Sequence, residues 1–339
     1  MNEHILPVGK LPVDLLARLL AQAPVQDERV LLGPGIGLDC AVVAPGEKLL
    51  VYKTEPITFV TDEIGWYAVQ VSANDVATTG ALPRWMLVTL LLPEGQTTAG
   101  LVEGISRQIF AACQEKGIQL IGGHTEVTYG LTRPIIVSTL IGEVEPERLV
   151  TPRGATPGDR VLLTKGVPVE ATAILAAEFS GRLGKILSQG ELDQARNFLH
   201  DPGISVLQDA QIALQAGRVT AMHDPTEGGL AAALWELAEA SGRALVIDLA
   251  AVPIPSLSTR ICQALGLDPL AAIASGALLL TAPAEDAGQI RHALQLQDIL
   301  CTEIGVVEAS PPAVWHSTET GRQKLDRPAR DEIARLYEE

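Results

Sequence analysis

Residues 85–92 read Trp-Met-Leu-Val-Thr-Leu-Leu-Leu, an almost unbroken apolar run of strand length. Such a run predicts a β-strand buried on both faces, because a strand with one face in water needs only every second residue to be apolar. Residues 134–141 have the same character. Between and around them the period changes to that of helices. Leu101, Ile105, Ile109 and Cys113 form a stripe over 98–116, and Gly117 stops it. Residues 65–79 place Trp66, Val69, Ala73 and Val76 on one face and Tyr67, Val71, Asn74 and Thr78 on another, with Gly80 able to cap and Pro83 to terminate. Further strands are predicted at 48–53 and 119–121, and a short amphipathic helix carries Leu15, Leu16, Leu19 and Leu20 between Pro12 and Pro24. Strands outnumber helices here, so the helices cannot each be a simple βαβ crossover.

With 339 residues the chain is long enough for two domains at about 150 residues each. The hydrophobic pattern lapses over 142–159, which is rich in Glu, Pro, Gly and Thr and is the best boundary. The expected domains are 1–150 and 151–339. The second opens with a strand at 160–164, then predicts helices at 168–179, 191–199, 204–216, 224–241 and 285–295. Its other strands are expected at 219–222, 245–249, 276–281 and 303–307. There is no internal repeat.

With 25 basic and 41 acidic side chains the net charge is −16, which argues against nucleic-acid or anionic-membrane partners, since both demand a basic field. The four cysteines are far apart and in no zinc-ligand spacing, so they read as reduced thiols. No stretch approaches the roughly 20 apolar residues that span a bilayer, and the N-terminus has no secretory pattern. The expectation is a cytoplasmic protein.

The usual phosphate loop, the H-E-x-x-H pair and the G-x-S-x-G elbow are absent. What remains is a set of oxygen and nitrogen ligands beside glycines or at the ends of apolar segments. They are Asp39 after the turn ending in Gly37, Glu55 after a strand, Asn74-Asp75 in a helix, and His124-Thr125-Glu126 after Gly122-Gly123. Single carboxylates from several loops suit Mg²⁺, which takes a few protein oxygens and leaves room for water and phosphate. Asn74-Asp75 reads either as such a site or as a solvated helix face. In Asp224-Pro225-Thr226-Glu227-Gly228-Gly229, Asp224 and Glu227 resemble a capping box, whereas two glycines in a first turn require close approach of another backbone or of a phosphate. Lys165-Gly166 before a helix offers either a phosphate contact or a surface turn. His223 could move a proton or simply pack. His4, His200, His292 and His316 form no pattern, and nothing near Cys40 is arranged to activate it.

Taken in order, these segments resemble the superfamily that unites aminoimidazole ribonucleotide synthetase (PurM), thiamine-monophosphate kinase, selenophosphate synthetase and the hydrogenase-maturation protein HypE. The matching residues are Gly37-Leu38-Asp39-Cys40-Ala41-Val42, Thr54-Glu55, the helix end from Asn74-Asp75 to Gly80-Ala81-Leu82-Pro83, Gly122-Gly123-His124-Thr125-Glu126, Gly158-Asp159 through Lys165, and Asp224-Pro225-Thr226-Glu227-Gly228-Gly229-Leu230. The segments are collinear over nearly the whole chain, and the HypE-like, AIR synthase-related branch is nearest.

The resemblance implies a two-domain PurM-like α+β fold. In it the N-terminal domain forms a shared β-barrel in a homodimer, and an α+β C-terminal domain follows. It implies ATP with Mg²⁺, used to activate an oxygen of a small substrate by phosphoryl transfer. A non-catalytic nucleotide-binding assembly or maturation factor with a maturation-protein partner is the alternative, and a thiamine-phosphate-type kinase a third reading. Carried over by residue, the nucleotide falls to Gly37, Asp39, Asn74, Asp75, Gly123, Thr125 and Lys165. The metal falls to Asp39, Glu55, Asp75 and Glu126, and catalysis to Asp224 and His124. Three positions depart from the family pattern: Leu38, Glu55 and His124 each stand where an Asp is usual, and Glu126 could restore the charge lost at His124. The sequence stops at Glu339 and its last cysteine is Cys301, next to the strand expected at 303–307, so self-carried thiocarboxamide chemistry on a terminal cysteine is not expected.

Overall fold

The contacts of the computed structural model, which describes residues 11–58, 62–318 and 321–337, divide the chain into two bodies. His4 and the extreme N-terminus lie outside the described residues. One body holds 25–33 and 39–149, and the other holds 11–24, 34–38 and the chain from 150 onward. The short helix α1 (Val13–Leu20) therefore belongs with the C-terminal body.

The N-terminal body is a six-stranded sheet with two helices. Its strands are β1 (Val30–Leu32), β2 (Ala41–Val43), β3 (Leu49–Ile57), β4 (Leu82–Pro93), β5 (Gln119–Thr128) and β6 (Ile135–Val144), in the order β1-β2-β3-β6-β4-β5. Only β4 and β5 pair in parallel. Helix α2 (Ile64–Ala77) packs on β3 and β6 and against α3 (Ala99–Lys116). This burial from two sides explains why both faces of α2 are apolar. Every residue of α2 but Trp66 is buried, and Asn74-Asp75 does not lie on a solvated face. Ser72 and Ser138 pair their hydroxyls at 2.7 Å and so tie α2 to β6. Helix α3 begins where expected, with the Thr98 hydroxyl accepting from the Leu101 N–H at 3.2 Å, and ends on Gly117 at φ 67°.

Two expectations are corrected here. Strand β4 is not buried on both faces: Met86, Val88, Leu90 and Leu92 are covered, whereas Trp85, Leu87, Thr89 and Leu91 stay half-buried or exposed. The helices cover one face of the sheet and leave the other open. The Gly-Gly-His-Thr-Glu segment is not a loop after a short strand but lies within β5, exposed along almost its whole length. Gly123 serves the pairing itself. Its φ is 151°, and a Cβ there would fall 1.9 Å from the Val88 carbonyl oxygen.

The C-terminal body runs β7 (Arg160–Thr164), α4 (Val169–Glu178), α5 (Ser180–Leu183), α6 (Gln189–Arg196), α7 (Leu207–Ala216), β8 (Ala221–His223), α8 (Gly229–Ser241), β9 (Ala244–Ile247), α9 (Ser256–Leu265), β10 (Leu279–Ala282), α10 (Ala284–Gln295), β11 (Cys301–Glu308), β12 (Ala313–Thr318) and β13 (Gly321–Lys324). The strands form one sheet in the order β13-β12-β9-β11-β7-β10-β8. Its core joins Val161 and Leu163 of β7, Leu230, Leu234 and Leu237 of α8, Leu245 and Ile247 of β9 and Leu279 of β10. The Trp235 indole N–H donates to the Leu325 carbonyl at 3.0 Å, and the Lys324 ammonium stands 4.9 Å from its ring centre.

The capping-box expectation fails. Helix α8 starts at Gly229, with Gly228 as N-cap at φ 81°, and Asp224 is buried upstream of it. The carboxylate of Asp331 instead accepts from the Gly228 N–H at 2.7 Å. The two glycines answer to close backbone approach: a Cβ at Gly229 (φ 62°) would lie 2.6 Å from the carbonyl oxygens of both Leu270 and Ala272. Gly229→Ala combines a left-handed backbone with this overlap and will cost at least about 2 kcal/mol, read as a lower urea midpoint with unchanged slope.

Candidate functional site

Period-two alternation on β3 puts Leu49, Val51, Lys53, Glu55 and Ile57 on the face turned toward α2. Lys53 and Glu55 are thus charged residues at inward positions. The Lys53 Nζ lies 2.9 Å from Glu55 Oε2 and 3.2 Å from Asp75 Oδ2, with the lysine side chain only 10% exposed. Burial alone would lower the lysine pKa. The carboxylates of Asp75, Asp39 and Glu55 outweigh it and hold the ammonium well above its ordinary value. Cys40 donates its thiol to the Asp75 carbonyl at 3.4 Å. Two of the four expected metal ligands, Glu55 and Asp75, therefore pair with one lysine, with Asn74 next to Asp75 in α2, and the charge of Asp39 acts on the same ammonium. Sequence reasoning treated Lys53 only as the end of a strand. The signal was available, since a lysine in register with Leu49 and Val51 has to be neutralised.

The fourth expected metal ligand lies elsewhere. Glu126 is on the edge strand β5, and β6 and β4 intervene between it and β3, about 14 Å at ordinary strand spacing. It accepts from His124 Nε2–H at 3.1 Å, and the His124 side chain is 64% exposed. Gly123, His124 and Thr125 line a groove of about 500 Å³ with Val88, Ile109 and Phe110. Glu126 therefore does not restore a carboxylate to the Asp39 cluster within one chain.

The remaining expected residues belong to the C-terminal body. Gly37 sits at φ 69°, where a Cβ would come 2.6 Å from the Glu236 carbonyl of α8, so packing alone requires its glycine. Lys165 is not free to hold a phosphate. Its Nζ donates to the Ser205 and Gly203 carbonyls at 2.5 and 3.4 Å and pairs with Asp209 at 3.2 Å, which uses all three of its N–H donors. Asp224 is buried at the end of β8 beside His223, whose Nε2–H donates to Glu236 Oε2 at 2.7 Å. That pairing, with Glu236 itself 4.0 Å from Arg327, gives His223 a fixed orientation that its position in the sequence does not disclose. The thiols carry no sign of activation: burial pushes Cys113 up to about 11, and Cys262 and Cys301 up to about 12.

The chain matches the models of both domains of the AIR synthase related proteins. The N-terminal domain model of that family matches residues 37–144 and its C-terminal domain model residues 156–316. The chain belongs to this family. A hydrogenase expression/formation protein of Methanocaldococcus jannaschii is 30% identical over 89% of this chain and 90% of its own length. The carbamoyl dehydratase HypE of Cupriavidus necator is 32% identical over 72% of this chain and 67% of its own length. The crystal structure of the hydrogenase maturation protein HypE in complex with ATP superposes with a TM-score of 0.70 at 26% identity, covering 92% of this chain and 90% of that one. The fold is thus PurM-like α+β. Among the described residues no helix is long and apolar enough to cross a membrane.

Proposed function

We propose that the chain is an ATP-dependent, HypE-like enzyme that activates an oxygen of a small substrate by phosphoryl transfer. The observation that carries this reading is the buried ion-pair cluster of Lys53, Glu55 and Asp75, with the charge of Asp39 acting on the same lysine, which falls inside the family's N-terminal domain. The likeness to a HypE solved with ATP supports it. ATP supplies the phosphoryl group. The protein contributes position and charge: Lys53 offers a buried point charge to a polyphosphate, and Glu55 and Asp75 fix where that charge stands. Asp224, held beside the His223–Glu236 pair, is assigned to the substrate side. Mg²⁺ fits the carboxylates poorly as they stand, because an ammonium already satisfies two of them, and no step is assigned to it.

Calorimetric titration with ATP, with and without Mg²⁺, is expected to give one site per chain, and Asp75→Asn to weaken it at least tenfold. No heat at millimolar nucleotide in either condition overturns the proposal. Binding without ADP release across hydroxyl, carboxamide and formamide substrates would transfer the chain to the reading of a nucleotide-binding maturation factor.

We also infer a homodimer through the N-terminal body. The edge strand β5 leaves Leu120, Ile121 and Val127 exposed, and the open face of β4 adds Leu87. An exposed apolar edge invites pairing with another chain. Light scattering is expected to give twice the chain mass, and a monomer at micromolar concentration counts against it.

A further inference from the structure

The carboxylates that would chelate a divalent ion in this body are Asp39, Glu55 and Asp75, and the group at their centre is an amine. Lys53 reaches it from β3, on the same inward face as Glu55, and bridges to Asp75 of α2. Its N···O distances of 2.9 and 3.2 Å are those of charge-assisted hydrogen bonds. Both contacts are ion pairs of one buried ammonium with two carboxylates. A directly bound Mg²⁺ would need oxygens at about 2.0–2.1 Å in near-octahedral array. It would have to share carboxylates that Lys53 already pairs with, within a few ångströms of the lysine's positive charge.

We propose that Lys53 is a resident cation that takes the place of a carboxylate-chelated divalent metal at Glu55 and Asp75. This concerns the cluster itself and stands whether or not ATP is the ligand.

Manganese alone, without nucleotide, tests it. Electron paramagnetic resonance titration of the full chain with Mn²⁺ is expected to give the same binding for wild type and Asp75→Asn, the only ions held being those on the acidic surface. Lys53→Ala is expected to gain one further site, at least tenfold tighter than any in wild type, which Lys53→Ala/Asp75→Asn loses again. The same variant should melt at a lower temperature than wild type in chelator and recover by several degrees with Mn²⁺, while wild type is indifferent. Wild-type Mn²⁺ binding that Asp75→Asn abolishes overturns the proposal, and so does a folded Lys53→Ala chain with no added site. If Lys53→Ala does not fold, the wild-type comparison with Asp75→Asn decides alone.

Discussion

Lys165→Met will lose about 3–5 kcal/mol of stability, the usual cost of removing one partner of a buried ion pair. The lysine and Asp209 side chains are 6% and 2% exposed, and their charges have no water to fall back on. The network extends further. The Leu278 N–H donates to Thr164 Oγ1 at 3.0 Å, and that hydroxyl donates to Asp209 Oδ1 at 2.7 Å. Lys165 itself sits at φ 56°, a left-handed backbone that a non-glycine residue adopts only when its surroundings hold it there. Without the ammonium, Asp209 keeps one hydrogen bond and an uncompensated charge, while the Ser205 and Gly203 carbonyls lose their donor. Lys165→Met/Asp209→Asn should recover a large part of the loss, because it removes the stranded charge. Chemical denaturation gives both numbers. A single variant within 1 kcal/mol of wild type would show that the lysine is not structural, and a selective fall in nucleotide affinity would return it to the phosphate role suggested by its sequence position.

Lys165 illustrates which features a sequence can carry. The strand–Lys–Gly–helix order was legible, and β7 and α4 lie at the expected places. The partner was not legible, because Asp209, Ser205 and Gly203 come from a connection some 40 residues downstream. The glycines divide in the same way. Gly117 ends a helix by a local rule, and local reading found it. Gly37, Gly123 and Gly229 answer to the Glu236, Val88 and Leu270/Ala272 backbones, which stand far from them along the chain. At the acidic cluster, Asp39, Glu55 and Asp75 were found one by one as carboxylates at element ends. Their common neighbour was not, because periodicity states which way Lys53 faces but not what stands opposite. The expectation that β4 is buried on both faces failed for a further reason. An apolar run states that contacts are favourable on both faces, and the helices of this body supply them on one face alone.

Glu170→Gln is expected to raise stability at neutral and alkaline pH and to flatten its pH dependence. Glu170 lies in the first turn of α4, only 4% exposed, and its Oε2 has no hydrogen-bond partner among the described residues. Burial pushes its carboxyl up to about 8. Hydrogen bonds from Ser275 work against the shift, and the negative charges of Glu227 and Asp331 add to it. Below pH 4.5 the group is protonated in both folded and unfolded chains and costs nothing. Between 4.5 and 8 the unfolded chain releases this proton and the folded chain keeps it. Stability therefore falls by about 1.4 kcal/mol per pH unit, or roughly 3 kcal/mol by pH 7, and levels off above 8. Asp331, pushed up to about 6 chiefly by burial, acts with the same sign but only between about 3.8 and 6. The interval from pH 6 to 8 thus separates Glu170 from Asp331. The glutamine amide keeps the carbonyl that accepts from Ser275 and offers its N–H to neighbouring carboxylates, so it fills the site without titrating. Urea unfolding of both proteins at half-unit steps from pH 6 to 8 should give a falling wild-type curve and a nearly level Glu170→Gln curve, the gap widening toward pH 8. Parallel curves would mean that Glu170 is ionised in the folded chain at neutral pH and that a cation compensates it there.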